Sequence, residues 1–238
     1  MMFVGTSGFS YPSWKGKFYP KDLKSEDFLS YYSKQLNSVE INSSFYASPG
    51  PAMIRSWSSK TDEKFKFAFK APRQITHILK LDGKPAVEAS QRLEQTLNLL
   101  AGKKGPLLFQ LPPYLRLDLK RLEHFLSETS TLQDRVFEFR HTSWMTDETY
   151  KLLDKYGAAF CIAETEDMEP VYQITGGLAY FRLRKDLYDE KMIVDWSKKI
   201  ANLSKGIPET YVYLRHDETG ENVSLALRLQ GKQKEKEE

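Results

Sequence analysis

The chain has 238 residues, of which 40 % are hydrophobic and 13 % aromatic, so it can bury a sizeable core. Its 35 Lys and Arg residues against 32 Asp and Glu residues give a formal charge of +3, too small to require a nucleic-acid partner. The one cysteine, Cys161, excludes an intramolecular disulfide and a multi-cysteine metal cluster.

Short runs of apolar, β-branched or aromatic residues recur along the chain and indicate buried strands. They are Met2–Gly5, Ser38–Ile41, Phe65–Lys70, Leu107–Gln110, Val136–Phe139, Ala159–Ala163, Ala179–Leu183 and Thr210–Leu214. Helical patterns lie between most of them, because apolar residues there recur at steps of three and four. The predicted helices include 26–36, 52–59, 86–100, 118–128, 150–156 and 193–203.

The connection Glu164–Gly177 has two glycines and Pro170 but no clear apolar stripe, so we expect an irregular crossover there. Strands that alternate with helices at this spacing predict a parallel sheet, and about eight such units suit a single (β/α)₈ TIM-type barrel. An open doubly wound sheet is the alternative. We expect one domain over residues 1–229, followed by a charged, disordered tail over 230–238.

The first residues, Met1–Gly5, lack the basic flank and apolar core of a signal peptide. No stretch approaches the roughly 20 apolar residues that span a bilayer. Cys161 lies in an apolar run, where a thiol stays protonated and inert. We therefore expect a cytoplasmic protein without a membrane partner, and the sequence does not indicate a cofactor or an oligomeric state.

Polar residues collect where the predicted strands end, which in a barrel is the rim that carries active sites. They are Thr6, Ser7, Glu40, Asn42, Lys70, Arg73, Gln110, Glu138, Arg140, Glu164, Arg182, Arg184, Arg215 and His216. A single charge of this kind often caps a loop, but so many at one rim predict a polar site.

Several motifs occur in order along the amino-terminal two thirds of the chain. They are Gly5-Thr6-Ser7-Gly8-Phe9-Ser10-Tyr11, Phe18-Tyr19-Pro20, Val39-Glu40-Ile41-Asn42-Ser43-Ser44-Phe45-Tyr46, Phe67-Ala68-Phe69-Lys70-Ala71-Pro72-Arg73, Thr76-His77 and Glu138-Phe139-Arg140-His141-Thr142-Ser143-Trp144. In these motifs the chain resembles the YecE-like family, domain of unknown function 72, and the resemblance implies a TIM barrel without implying a reaction. The carboxyl-terminal part departs from the family pattern, at Arg182-Leu183-Arg184-Lys185 in place of Arg-Leu-His-Gly and at Arg215-His216-Asp217-Glu218.

Glu40 and Glu138 lie at the predicted ends of the second and fifth strands, where two carboxylates could act as acid and base. Ion pairing with the nearby arginines is the alternative. Three histidines, His77, His141 and His216, fall on loops at the same rim. Without a motif such as His-Glu-x-x-His we predict no metal site, and we choose His77 as a further catalytic candidate.

Cationic residues outnumber carboxylates on this rim, and guanidinium groups hold phosphate or carboxylate in two directions. This excess predicts an anionic ligand, held in part after the last two strands near Arg184, Lys185 and the Thr219-Gly220 turn. The predicted ligand-binding residues are Thr6, Ser7, Asn42, Tyr46, Lys70, Arg73, Gln110, Arg140, Trp144, Arg182 and His216.

The sequence therefore predicts an enzyme, a hydrolase or lyase, that acts on a small anionic substrate, including a phosphorylated one, at the carboxyl face of the barrel. Aromatic residues such as Tyr46 and Trp144 mix with the basic residues of this rim, and such a mixture also suits stacking on bases. The alternative is accordingly a nucleic-acid-binding protein or a metal-dependent phosphodiesterase. A non-catalytic ligand-binding barrel is a third possibility.

Overall fold

Eight parallel strands form a (β/α)₈ barrel in the computed structural model, which describes residues 1–231. The strands are β1 Met2–Thr6, β2 Ser38–Ile41, β3 Lys66–Lys70, β4 Lys104–Gln110, β5 Arg135–Glu138, β6 Ala159–Glu164, β7 Leu178–Leu183 and β8 Glu209–Leu214. Each strand pairs in parallel with its neighbour, in the order β1-β8-β7-β6-β5-β4-β3-β2. The predicted barrel is confirmed.

The α-helices surround the strands and present one apolar face to them. They are α1 Phe28–Gln35, α2 Pro51–Ser59, α3 Gly83–Leu97, α4 Leu119–Glu128, α5 Asp147–Lys155, α6 Glu190–Leu203 and α7 Glu221–Leu229. The crossover between β6 and β7 contains no helix, as its missing apolar stripe predicts. It reaches β7 through Gly176 at φ +67°, where a Cβ would come within 2.4 Å of the Ala158 backbone.

The seam between β1 and β2 closes the barrel with side chains as well as backbone. The Tyr32 hydroxyl accepts the Thr6 N–H at 2.8 Å and donates to the Ser38 carbonyl at 3.0 Å, so it bridges the two strands. Beyond the strand ends, the Gly8 N–H donates to the Glu40 carbonyl at 2.8 Å. The close approach of β1 to β2 requires a glycine at position 5, because a Cβ there would lie 2.0 Å from the Ser38 carbonyl oxygen. The seam therefore holds Glu40 close to the end of β1.

Alternate residues of each strand point into the barrel, as the two-residue period of a strand requires. The buried interior cluster is Phe3, Ala68, Leu108, Val136, Ala159, Cys161, Ala163, Leu178, Tyr180, Tyr211 and Tyr213. Burial raises the pKa of the Cys161 thiol well above its usual value, in agreement with an inert core cysteine. Continued to the carboxyl ends, the same alternation places Glu40, Lys70, Glu138 and Arg182 at the barrel mouth.

Within residues 1–231, no helix combines the length and the apolar character needed to cross a bilayer. The predicted tail begins at Gln230, which ends α7 by donating its N–H to the Ala226 carbonyl at 3.0 Å. Gly231 follows with φ +83°. The rest of the predicted tail, 232–238, lies outside the described residues.

Candidate functional site

Arg182 occupies the centre of the barrel mouth, between two buried carboxylates. Its Nε and Nη2 donate to Glu40 Oε2 and Oε1 at 2.8 and 2.7 Å, and its Nη1 donates to Glu138 Oε2 at 2.5 Å. Glu40 and Glu138 are both 0 % exposed, and Arg182 is 1 % exposed. The guanidinium therefore joins carboxylates from β2 and β5, which 98 positions of sequence separate.

The two carboxylates also accept hydrogen bonds from other side chains. Glu40 accepts hydrogen bonds from Ser7 Oγ and the Tyr180 hydroxyl, each at 2.9 Å. Glu138 accepts one from Gln110 Nε2 at 2.8 Å and forms an ion pair with Arg140 Nε. We call these residues the Arg182 cluster, and its members are Arg182, Glu40, Glu138, Ser7, Tyr180, Gln110 and Arg140.

Both glutamates of the cluster are held in the ionised form. Burial alone acts to raise the pKa of Glu138, but the guanidinium charges of Arg182 and Arg140 outweigh burial and hold the pKa well below its usual range. The pKa of Glu40 is lowered in the same way, with burial opposed by the charge and hydrogen bonds of Arg182. This geometry matches the ion-pairing alternative from the sequence, and their catalytic role stays a prediction.

Lys70 lies beside the Arg182 cluster, but its side-chain ammonium makes no hydrogen bond or ion pair with any residue in the described part of the chain. Its Nζ lies 4.1 Å from the centre of the Phe45 ring. Burial, followed by the positive charge of Arg182, lowers the pKa of Lys70 to about 8. A neutral amine is therefore far more accessible here than at a solvated lysine.

The loop after β2 fixes Phe45 in this position. Ser44 Oγ lies 2.7 Å from the Ile41 carbonyl and 2.6 Å from the Lys70 carbonyl, so it ties the loop to the end of β3. The Phe45 ring also meets the His77 ring at 5.0 Å with nearly perpendicular planes. We call Lys70, Phe45 and His77 the Lys70 sector.

Arg184 is the second mouth cation without a carboxylate contact. Its Nη1 donates to Ser7 Oγ at 2.7 Å, and the same hydroxyl donates to Glu40 Oε1 at 2.9 Å. Burial and the charge of Arg182 lower its pKa to about 10, a direction that fits a buried guanidinium next to another one. Arg184 alternates with Arg182 and Tyr180, so all three share the interior face of β7 and its extension.

Other predicted cations lie away from this centre. Arg215 pairs with Asp186 at the surface, and Arg73 is exposed at the start of a π-helical turn, Gln74–Ile78. Lys185 pairs with Glu164 at 3.1 Å. Glu164 also accepts the Trp196 indole N–H at 2.9 Å, so it points outward to α6.

The start of α7, where the sequence predicted part of the anion site, is already capped within the chain. The Asp217 carboxylate accepts the N–H groups of Gly220 at 2.5 Å and Asn222 at 2.7 Å. These are backbone donors that a phosphate would need at a helix N-terminus. The amides of Gly220 and Asn222 are therefore not free to bind a phosphate.

Two cavities open beside the cluster. One, of about 390 Å³, is lined by His77, Gln110 and Arg140 and by Thr165, Asp167 and Met168 of the irregular crossover. The other, of about 430 Å³, is lined by Asn42 and the loops after β1 and β2. Both volumes lie in the range of small-molecule sites.

His77 and His216 occupy different sides of the mouth. His77 Nδ1 lies 2.9 Å from Thr76 Oγ1, and burial followed by the charges of Lys70 and Arg73 lowers its pKa, so the ring is neutral near pH 7. His216 stacks on Tyr11 at 4.6 Å, and its buried Nδ1 has no hydrogen-bond partner among the described residues. The buried Asn42 Oδ1 likewise lacks one.

Two predicted ligand-binding residues have structural contacts instead of open polar groups, and a third is exposed at the surface. Thr6 is buried and bonds to the Gly8 carbonyl at 2.7 Å and the Tyr32 hydroxyl at 3.0 Å. Trp144 is buried and donates its indole N–H to the Leu115 carbonyl at 2.8 Å. Tyr46 is 85 % exposed, against the edge of Phe45.

Sequence reasoning left several residues of this region out of the predicted site. The Phe45 ring and the Tyr180 hydroxyl contact its charged groups directly, and the crossover residues line a cavity. The sequence places Arg184 near the predicted anion site, and in the structure it donates to Ser7 Oγ. The alternation Tyr180, Arg182, Arg184 carries a signal for Tyr180, since these positions share one face of a strand. Among residues 1–231, no group of three His, Cys, Asp or Glu side chains is placed to hold a metal ion.

Comparison with known families agrees with the fold. A family model described as "Protein of unknown function DUF72" matches residues 3–238. The UPF0759 protein YecE of Escherichia coli strain K12 is 28 % identical over 142 residues, which are 59 % of this chain and 49 % of that protein. The UPF0759 protein YunF of Bacillus subtilis strain 168 is 26 % identical over 157 residues, 63 % of this chain and 55 % of that protein.

The matched regions thus span about half the length of these curated relatives. Solved structures match over nearly the whole chain. A DUF72 family protein of Thermotoga maritima superimposes with a TM-score of 0.84 at 27 % identity, covering 98 % of both chains. One from Enterococcus faecalis gives a TM-score of 0.76 at 18 % identity, covering 97 % of this chain and 96 % of that one, a likeness of fold.

Proposed function

This chain belongs to the DUF72 family, and from its barrel mouth we propose an enzyme, a hydrolase or lyase, that acts on a small anionic substrate. The observation that carries this proposal is the surplus of cations over carboxylates at the mouth. On the interior faces of the strand ends, four cationic side chains face two carboxylates: Lys70, Arg140, Arg182 and Arg184 against Glu40 and Glu138. One further carboxylate, Asp167 of the crossover, lines the neighbouring cavity.

The carboxylates do not neutralise all four cations. Arg182 donates three hydrogen bonds to the two glutamates, and Arg140 forms an ion pair with the other oxygen of Glu138. Lys70 and Arg184 are left without a carboxylate contact in a half-buried place, where an unpaired charge is unfavourable. A bound anion would remove that cost, and this supports an anionic ligand.

Space and further polar atoms lie next to these cations. The cavity of about 390 Å³ is bordered by Arg140, Gln110 and His77, and it can take a small molecule. His77 is neutral near pH 7 because its pKa is lowered, so it can accept a proton. We assign proton transfer to His77 or Lys70 and substrate orientation to the glutamates through Arg182.

Isothermal titration with inorganic phosphate tests the proposal on the full chain. We expect saturable binding that weakens at least tenfold in Arg184→Gln, because that variant removes an unpaired mouth cation. Arg215→Gln is the matched control, since Arg215 is a rim arginine whose charge already pairs with Asp186. Absence of phosphate binding, or an equal loss in both variants, would contradict the proposal.

A labelled oligonucleotide in the same titrations tests the alternative function. A nucleic-acid site would show log affinity falling steeply with log salt, because several phosphate contacts release counterions. We expect no such binding, since two of the predicted rim cations, Lys185 and Arg215, are paired with carboxylates. Tight, strongly salt-dependent oligonucleotide binding would favour the alternative.

A further inference from the structure

The most unusual group at the mouth is an amine rather than a carboxylate. Lys70 is the last residue of β3. It points to the same interior face as Ala68, which lies two residues earlier and belongs to the buried interior cluster. Its ammonium has a ring for a neighbour and no acceptor in the described part of the chain. A lysine that only balanced the two glutamates would donate to one of them, and those oxygens are occupied by other groups.

We propose that Lys70 is a nucleophile that forms an imine with a small carbonyl compound carrying a carboxylate or a phosphate. This inference rests on the proposed function, of which it selects the lyase branch and names the substrate class. The anionic group would be held by Arg184 or Arg140, and the carbonyl carbon would meet the Lys70 nitrogen.

The reaction balances without an added oxidant or reductant. The neutral Lys70 amine adds to the carbonyl carbon, so that a C–N bond forms and a proton passes from the nitrogen to the carbonyl oxygen. A second proton, taken from solvent, lets that oxygen leave as water, and a protonated C=N bond remains. The protonated imine can accept the electron pair of a C–C or C–H bond on the adjacent carbon, and the other fragment leaves as a carbonyl compound, as carbon dioxide or as a proton. The resulting enamine takes a proton on that carbon, and water then hydrolyses the re-formed imine, which releases the product and restores the amine.

The protonation state of Lys70 suits this role. A pKa of about 8 leaves roughly a fifth of the amine neutral at pH 7.4, against about 0.1 % for an unperturbed lysine. The charges that act on it are those of Arg182 and Arg184, which lower the pKa, and of Glu138 and Glu40, which raise it. Phe45 excludes water from one side of the amine at 4.1 Å.

The environment of Lys66 provides an internal comparison. Lys66 lies on the same strand and the same interior face, four residues earlier and at the opposite end of the barrel. Its Nζ lies 4.0 Å from Glu209 and has a hydrogen-bond acceptor in the Lys104 carbonyl at 3.5 Å. The two lysines therefore differ in whether the ammonium has oxygen partners.

Reductive trapping tests the proposal. The full chain is incubated with sodium cyanoborohydride and either pyruvate or glyceraldehyde 3-phosphate, and each lysine is followed by peptide mass spectrometry. We expect saturable labelling of Lys70, at least tenfold faster than that of Lys66, with a midpoint near pH 8. Acetone, which lacks an anionic group, should label Lys70 without saturation, and the two anionic probes distinguish a 2-oxo acid from a phosphorylated carbonyl compound.

Two variants separate the outcomes. Arg184→Gln should raise the concentration of probe that half-saturates labelling, and Lys70→Arg should abolish the adduct while leaving the fold intact, as checked by circular dichroism. Labelling of Lys70 no faster than of Lys66, while phosphate still binds in an Arg184-dependent way, would overturn the imine and leave the proposed function standing. Loss of both phosphate binding and Lys70 labelling would overturn the two together.

Discussion

The Arg182 cluster and the Lys70 sector lie side by side at one barrel mouth, but they differ in how far their charged groups are paired. In the cluster, every carboxylate oxygen has at least one donor, and Arg182 reaches both glutamates. In the sector, the Lys70 ammonium faces the Phe45 ring and has no acceptor among the described residues.

This difference distinguishes charged groups that stabilise the fold from charged groups that are available to react with a ligand. A buried charge that is fully paired is held in one protonation state and one geometry, so it orients its neighbours. A half-buried charge without a partner has a shifted pKa and gains from any ligand that compensates it. We therefore infer that the Arg182 cluster stabilises the barrel mouth and that the Lys70 sector holds the reactive group. Three predictions test this inference.

The largest expected effect is the loss of Arg182. Arg182→Met would leave Glu40 and Glu138 buried without their shared cation, and we expect the free energy of unfolding to fall by at least about 3 kcal/mol. Arg135→Met is the control, because Arg135 is also buried but donates to neutral oxygens such as the Leu126 carbonyl at 2.6 Å. Its cost should be about 1 to 3 kcal/mol.

Urea denaturation at pH 7 measures both variants. Equal losses of stability in Arg182→Met and Arg135→Met would mean that the two glutamates tolerate the loss of their cation, and the assignment of support to the cluster would then be wrong.

The second prediction concerns acid. Because the folded-state pKa of Glu138 lies below its unfolded value near 4.5, its stabilising contribution is complete above pH 4.5 and declines as the pH falls below it. Between pH 4.5 and 2.5 the free energy of unfolding should therefore decrease by roughly 2 kcal/mol less in Glu138→Gln than in wild type, although the variant is the less stable protein at pH 7.

Denaturant titrations across this pH range measure that decline. Glu123→Gln is the control, because Glu123 is an exposed glutamate whose pKa is lowered by its hydrogen bond to Lys155. Water screens that pair, so its removal should leave the pH profile nearly unchanged. Identical profiles for wild type and Glu138→Gln would contradict the pKa direction.

The smallest expected effect is at Lys70. Lys70→Met removes a half-buried cation without an anionic partner, so stability at pH 7 should stay within about 1 kcal/mol of wild type or rise. Wild type should gain stability as the pH rises above about 8, because the unfolded chain then holds its Lys70 proton longer than the folded chain does. Lys70→Met should lack this gain.

Lys66→Met serves as the control for the alkaline range, since Lys66 has Glu209 at 4.0 Å. Thermal unfolding of the three proteins between pH 7 and 10 gives the comparison. A large loss of stability in Lys70→Met at pH 7 would show that Lys70 belongs to the support rather than to the reactive side of the mouth.

Local patterns were sufficient for most of the fold. Among residues 1–231, apolar runs and helical periodicity predicted all eight strands and six of the seven α-helices, and the missing apolar stripe of Glu164–Gly177 predicted the irregular crossover. Errors lie at element ends. The predicted first helix starts at Glu26, but α1 begins at Phe28 after a 3₁₀ turn, and α3 ends at Leu97 before a further 3₁₀ segment, Asn98–Lys103.

The rim itself also followed from sequence, because parallel strands must bring their carboxyl ends to one face. The sequence alone thus determined the barrel, its polar end and the residue types gathered there. Which of those residues pair was decided by the tertiary structure. Arg182, Glu40 and Glu138 are far apart along the chain, and only the closed barrel sets their atoms 2.5 to 2.8 Å apart.

The same closure gives every carboxylate oxygen of the Arg182 cluster a donor and turns Glu164 outward. It leaves the Lys70 ammonium beside Phe45, with no acceptor from residues 1–231. Pairing of this kind depends on differences of a few tenths of an ångström in donor–acceptor distance and on competition among several donors for each oxygen. Composition and spacing do not encode that competition, because it arises only when the strands are packed around a common axis.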